Sequence, residues 1–237
     1  MNLLDAILEI LYPPRCIVCD EPIPYYGYCK GCKGKITTIK EEMCLSCGSR
    51  KKYCECNKRI YHFDGITAPY FNEGYAKQAV YDLKFRNKYN CVKNFGRQMA
   101  KKAAVNFGIE NIDYICCIPP SRESDYKRGF NQSDLFAREV AKCLKIEYKP
   151  KLLKKKDSVR SQHRIRTVAD RFENVRNGYF ATESIKGKNV LVVDDIKTTG
   201  ATIDECSRQL KFAGAEQVYC VVALITEHKR NDESYGL

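Results

Sequence analysis

What this 237-residue chain lacks narrows it first. No apolar run approaches the roughly 18 residues that span a bilayer, so membrane insertion is not expected. The pattern G-x4-G-K-[ST] of a Walker phosphate loop is absent, and no G-x-G-x-x-G follows a strand-like run, which removes two glycine-rich nucleotide cradles. The opening segment, MNLLDAILEILYPPRC, is apolar at Leu3, Leu4, Ile7, Leu8, Ile10 and Leu11, but Asp5 and Glu9 interrupt it and no basic leader precedes it. A short docked helix is expected there instead of a secretory signal, and with it a cytoplasmic location.

Acidic residues are the scarcer charge. Lys and Arg number 41 against 29 Asp and Glu, a formal net of +12. Residues 151–176, KLLKKKDSVRSQHRIRTVADRFENVR, hold nine basic and three acidic residues and so half of that excess. Aliphatics are sparse there and the periodicity is poor until Val168. A basic excursion over the active face is one reading and a solvated basic helix the other. Anionic ligands such as phosphates, pyrophosphate or nucleic acid suit the charge.

Cysteine is abundant and unevenly placed. Eight of the 14 lie between Cys16 and Cys56, as Cys16-x2-Cys19, Cys29-x2-Cys32, Cys44-x2-Cys47 and Cys54-x-Cys56. A CxxC knuckle lets two sulfurs grip one ion with little strain, and two knuckles complete a tetrahedron. Disulfides are disfavoured in a cytosolic chain, and a redox motif would be one CxxC beside a βαβ unit. One or two structural zinc ions are therefore expected, paired either in sequence order or crossed. If eight thiolates held two zinc ions, the working charge would fall to roughly +8. Tyr25, Tyr26, Tyr28 and Tyr53 in this segment either stack bases or form its small core.

From about Tyr61 strand-like and helix-like runs alternate. GITAPYF (65–71), IDYICCIP (112–119), VLVV (190–193) and QVYCVVALIT (217–226) read as strands, separated by helical patterns at GYAKQAVYDLKF, 91–107, 134–144 and IDECSRQLKFAG. That alternation predicts an α/β fold with a mostly parallel sheet and helices on both faces, ligands sitting at strand carboxyl ends. Cys116-Cys117 is expected to be strand core and not a reactive pair. His163, alone in the basic stretch, carries no assigned role.

The run VLVVDDIKTTGAT (190–202) carries the chemistry. Asp194 and Asp195 can accept from two ribose hydroxyls. The turn and helix start at Lys197, Thr198, Thr199, Gly200, Ala201 and Thr202 can cradle a phosphate on backbone N–H groups and hydroxyls. A receiver domain, which also places an acidic pair after a strand, would need about 100 residues beyond the pair, whereas 42 follow Asp195. A sugar carrying pyrophosphate needs cations near the leaving group. Pro120, Ser121, Arg122, Lys127 and Arg128, after the strand at 112–119, are the candidates, with Lys84 and Arg86 in reserve.

Residues 190–202 resemble the phosphoribosyl-pyrophosphate signature of type I phosphoribosyltransferases, Lys197 standing where an aliphatic is common. With the cysteine knuckles, DLKFRNKYN (82–90), RGFNQS (128–133) and the spaced Gln162, Arg171, Asn174 and Phe180, the chain resembles the ComF family over almost its whole length. The resemblance implies a type I phosphoribosyltransferase fold over 61–237, with 151–176 as the hood, behind a zinc-binding module at 1–60. It also implies phosphoribosyl pyrophosphate with Mg²⁺ as ligand, a link to natural transformation, single-stranded DNA as a partner and competence-machinery proteins as possible partners. Purine-salvage relatives carry an Asp where Thr198 stands, so the usual base for the acceptor is missing. The amidotransferase branch would begin with a catalytic cysteine, and this sequence begins Met1-Asn2.

Overall fold

A computed structural model describes residues 13–54, 56, 61–120, 129–156 and 175–227. Its centre is a six-stranded parallel sheet. The strands in chain order are β1 (Gly65–Thr67), β2 (Tyr70–Phe71), β3 (Tyr114–Cys117), β4 (Glu147–Tyr148), β7 (Asn189–Lys197) and β8 (Gln217–Ile225), arranged β1–β8–β7–β3–β4 with β2 also on β8. The run at 65–71, expected as one strand, is two, separated by Ala68 and by Pro69, which has no N–H to give a ladder.

Strands of such a sheet are buried on both faces and so read as continuous apolar runs. In β7, Leu191 and Val193 face one layer while Val190 and Val192 face the other. The first layer holds α1 (Gly74–Arg86), α2 (Asn90–Phe107) and α3 (Gln132–Leu144), with Leu83, Phe95, Met99 and Phe136 fully buried. The second holds α4 (Ala201–Phe212) and an antiparallel pair, β5 (Leu153–Lys155) with β6 (Tyr179–Ala181). That pair lies at the ends of the basic stretch, where no strand was expected. Alternation fails as a guide there because Leu153 is buried beside exposed Lys154, while Lys155, on the same side as Leu153, is half-buried with its ammonium over the Tyr179 ring. Cys116 and Cys117 are buried in β3 on opposite faces, and burial pushes both thiols up, Cys117 to about 12.

From β3 the chain crosses outward to β4, whereas from β7 it crosses the other way to β8. The carboxyl ends of β3 and β7 therefore flank the point where strand order reverses, which is where open α/β sheets bind ligands.

The described residues of the cysteine-rich segment pack on this domain and have little core of their own. Their internal cluster consists of Cys16, Ile23 and Cys32, while Ile17 and Ile36 join one main core and Ile39 the other. Gly48, at φ +75, lies so close to the end of β8 that a Cβ would collide with Ile225. The Ile66 N–H donates to the Leu45 carbonyl at 2.7 Å, tying the Cys44–Cys47 knuckle to β1.

Candidate active site and metal centres

The acidic pair lies within β7, Asp195 two residues short of its carboxyl end, in the switch-point crevice. Asp194 Oδ1 accepts from Ser133 Oγ at 2.7 Å and from the Asp195 N–H at 2.9 Å. Loss of hydration, then the adjacent Asp195 carboxylate, push Asp194 up from its ordinary value to about 7, against the bonds from Ser133 and the Asp195 N–H. Asp195 Oδ2 pairs with Lys84 Nζ at 2.7 Å, both side chains being largely buried.

Two motifs quoted from the sequence thus meet at this pair. RGFNQS supplies Ser133 through the start of α3. The Asn131 side chain caps that helix by accepting from the Ser133 N–H at 3.1 Å, and its amide donates to the Ile118 carbonyl at 3.0 Å. The helix start is thereby fastened to the end of β3. DLKFRNKYN supplies Lys84 from the last turn of α1. Lys84, a reserve candidate for the pyrophosphate by its sequence position, has a carboxylate as its partner in the structure. Ser133 had no role assigned, although an Asn two residues before it and an amphipathic run after it form a helix-cap pattern that sequence alone offers.

Beyond the pair, β7 continues to Lys197, whose side chain is buried, and the chain turns through exposed Thr198, buried Thr199 and Gly200 into α4. Gly200 has φ +83, and a Cβ there would lie 3.1 Å from Lys197 Cε and 3.5 Å from the Tyr61 ring, so both conformation and space call for glycine. Thr199 Oγ1 accepts from the Ala201 N–H at 3.4 Å, and half-buried Thr202 lies in the first turn. Asp204 in that turn accepts from the His62 N–H at 2.6 Å. Helix N–H groups and dipole converge here, as a phosphate requires.

Pro120 lies three residues beyond the end of β3; Ser121, Arg122, Lys127 and Arg128 lie outside the described residues. So do Gln162, His163, Arg171, Asn174 and the N-terminal segment 1–12. The returning end of the basic stretch is held firmly. Glu205 of α4 accepts from the Asn177 N–H, Arg208 and Gln209 at 2.8–2.9 Å, and Arg208 also donates to the Asn177 side chain. Phe180 lies in β6, partly exposed.

The eight early cysteines gather in sequence order, Cys16, Cys19, Cys29 and Cys32 in one group and Cys44, Cys47, Cys54 and Cys56 in the other, the sulfurs of each within 4.8 Å of one another. A tetrahedral zinc site with Zn–S near 2.3 Å has sulfurs roughly 3.8 Å apart. Cys19–Cys29 at 3.7 Å, Cys44–Cys56 at 3.7 Å and Cys47–Cys54 at 3.6 Å fit it, with Cys54–Cys56 tighter at 3.1 Å. All eight are free thiols. Burial raises Cys16, but the N–H groups of Cys19, Cys29 and Val18 outweigh it and bring that thiol down to about 6. Four sulfur donors per group support structural zinc. Of the four tyrosines, Tyr28 is core, its hydroxyl donating to Asn94 at 3.2 Å; Tyr25 and Tyr53 are exposed, and Lys93 caps the Tyr26 ring at 3.6 Å.

Comparison with known proteins agrees with both halves. The phosphoribosyl transferase domain family matches residues 132–236, and the double zinc ribbon domain family matches residues 7–60. The chain carries a phosphoribosyl transferase domain behind a double zinc ribbon. Relatives extend over nearly the whole length. DNA utilization protein YhgH of Escherichia coli (strain K12) is 24% identical over 221 residues, taking in 88% of this chain and 96% of that protein. Competence protein F of Haemophilus influenzae is 25% identical over 217 residues, 86% of this chain and 93% of its own. Competence protein ComFC of Bacillus subtilis is 22% identical over 201 residues, 84% and 72%. The resemblance to the ComF family that the motifs carry is thus shared by these relatives. Among the described residues no helix is long and apolar enough to cross a membrane.

Proposed function

We propose that the switch-point crevice binds phosphoribosyl pyrophosphate together with Mg²⁺. Asp194 and Asp195 would accept from the ribose hydroxyls, and the segment from Lys197 to Thr202 would hold the 5′-phosphate, chiefly through backbone N–H groups and the threonine hydroxyls. Pro120, Ser121, Arg122, Lys127 and Arg128 would border the pyrophosphate. The observation that carries this reading is the convergence on the acidic pair of Ser133 and Lys84, from two distant segments, beside a glycine turn that opens a helix. Two adjacent carboxylates, one pushed up to about 7 by burial and its neighbour, form a site that favours a cation and hydroxyl donors. Magnesium, when bound, offsets the charge of the leaving pyrophosphate.

The reading commits to donor binding; the acceptor is not assigned, because Thr198 stands where a general base would act. Residues 1–60 act as the zinc module, with two ions held by the eight cysteines in sequence order, and 61–237 as the phosphoribosyl transferase domain under a basic hood at 151–176. A second reading, a nucleic-acid-binding factor of DNA uptake in the cytoplasm whose sugar-phosphate site is regulatory, is favoured by the charge of +12 and by relatives named for competence and DNA utilization. The paired variant Asp194→Asn with Asp195→Asn separates the two. Donor binding should fall by at least 100-fold while affinity for single-stranded DNA holds; loss of both in a folded, zinc-loaded variant would contradict two separate sites.

A further inference from the structure

The outer face of α1 is unusual for a helix packed on a domain. Its inward face is Ala76, Ala79, Val80 and Leu83, yet the side turned to solvent carries Tyr81 and Phe85, 48% and 58% exposed, with ring centroids 4.6 Å apart. Four of the eight exposed aromatics among the described residues, Tyr75, Tyr81, Phe85 and Tyr89, lie on this helix and the turn after it. Tyr89 in turn packs on Phe130 at 5.2 Å, so the aromatic residues of DLKFRNKYN and RGFNQS meet. Phosphoribosyl binding uses Lys84 and Ser133 of these motifs and leaves the rings unexplained.

A cavity of about 380 Å³ opens beside Tyr89, between the α1–α2 turn and the first zinc knuckle. Tyr26, Arg15, Asp20, Asn87 and Lys88 help to line it. Its size falls within the range of ligand pockets, about 300–1,000 Å³. Tyrosines from the ribbon and from the turn supply rings, and Arg15 and Lys88 supply cations. The acid among them, Asp20, is engaged by Lys88 at 3.0 Å and by the Asn90 amide at 2.7 Å.

We infer that this cleft and the Tyr81–Phe85 ridge form a binding path for single-stranded nucleic acid, with bases stacking on Tyr26, Tyr89 and the ridge and phosphates meeting Arg15, Arg86 and Lys88. The inference rests on the nucleic-acid part of the reading above. The exposed rings of the ridge and of Tyr89 are joined in the cleft by Pro13 and Pro14. The cations Arg86 and Lys88 lie between Phe85 and Tyr89 in the chain, where a phosphate would compete with their carboxylate partners Asp82 at 3.2 Å and Asp20 at 3.0 Å. Stacking with a basic track is how single strands are held without base-specific hydrogen bonds, whereas the centre of a protein interface is depleted in lysine. A duplex keeps its base faces covered and fits such a path poorly. The path ends at the phosphoribosyl crevice, since Lys84 adjoins Phe85 and holds Asp195, and Phe130 adjoins the cap of the helix that delivers Ser133. A bound strand would lie across the mouth of that crevice.

The test uses the full zinc-loaded chain and a fluorescein-labelled oligo-dT of 20 nucleotides, read by anisotropy. Tyr26→Ala with Tyr89→Ala should weaken binding by about tenfold per ring, leaving zinc content and donor binding unchanged. Tyr26→Phe with Tyr89→Phe keeps both rings and should bind as the parent does, and Phe212→Ala, an exposed ring on α4, should have no effect. An alanine pair that binds within twofold of the parent would place the nucleic acid elsewhere while sparing the nucleic-acid reading. A parent chain that binds no oligonucleotide would overturn both, with the donor reading left to calorimetry. Equal affinity for a 20-base-pair duplex would also overturn the stacking path.

Discussion

The zinc ribbon and the acidic crevice lie in one chain but are held by different forces. Among its described residues the ribbon buries only Cys16, Ile23 and Cys32 in a cluster of its own, and its order comes from two groups of four sulfurs and from docking through Ile17, Ile36 and Ile39. The crevice rests on a sheet buried on both faces, where Leu191, Val193 and Val221 meet one layer of helices and Val190, Val192 and Cys220 meet the other. Its polar parts come from residues 84, 133 and 194–195, which only the fold brings together. A metal can organise a stretch that burial cannot, while burial can position carboxylates that a short motif cannot.

The largest expected effect breaks that comparison open. Structural zinc contributes about 10–16 kcal/mol of apparent binding free energy at neutral pH in small metal-dependent folds. Stripping it with a strong chelator should expose the segment before residue 61 to limited proteolysis, while the sheet domain keeps a cooperative melting transition. If chelation left the ribbon protected, metal would not be what holds it.

A smaller effect sharpens the crevice side. The raised Asp194 favours the neutral acid in the fold, so its stabilising contribution is fully present below its unfolded value near 3.8 and is lost as pH rises through about 7. Donor binding needs the carboxylate and should strengthen over the upper part of that window. Ser133→Ala removes a bond to the charged form, worth about 1.5–3 kcal/mol for a hydrogen bond to an ion. Donor affinity should fall by about tenfold or more, and the midpoint of its pH profile should move upward. An unchanged midpoint in that variant, followed by calorimetry across pH 5.5–8.5, would mean that Ser133 does not set the state of Asp194.

The same contrast explains what was legible in the sequence. Zinc ligands follow a local spacing, so all eight cysteines could be read from the chain; their pairing could not, because crossed and sequential groupings have the same spacings. The α/β order and the long helices were legible from periodicity, and VLVVDD announced its strand. Lys84 on Asp195 and Ser133 on Asp194 span 111 and 61 positions, and no periodicity encodes such a meeting. The β5–β6 pair escaped notice because three-residue strands at the ends of a lysine-rich stretch leave no pattern to detect. The pairing of Tyr89 with Phe130 was hidden for the same reason as the crevice.

The most direct test of the central claim is calorimetric titration of the zinc-loaded chain with phosphoribosyl pyrophosphate at pH 8, with and without Mg²⁺. Saturable binding of one donor per chain, dependent on Mg²⁺ and absent from the Asp194→Asn, Asp195→Asn pair, is the result predicted. A folded, zinc-loaded chain that gives no binding heat at millimolar donor, and does not displace a labelled analogue, would contradict it.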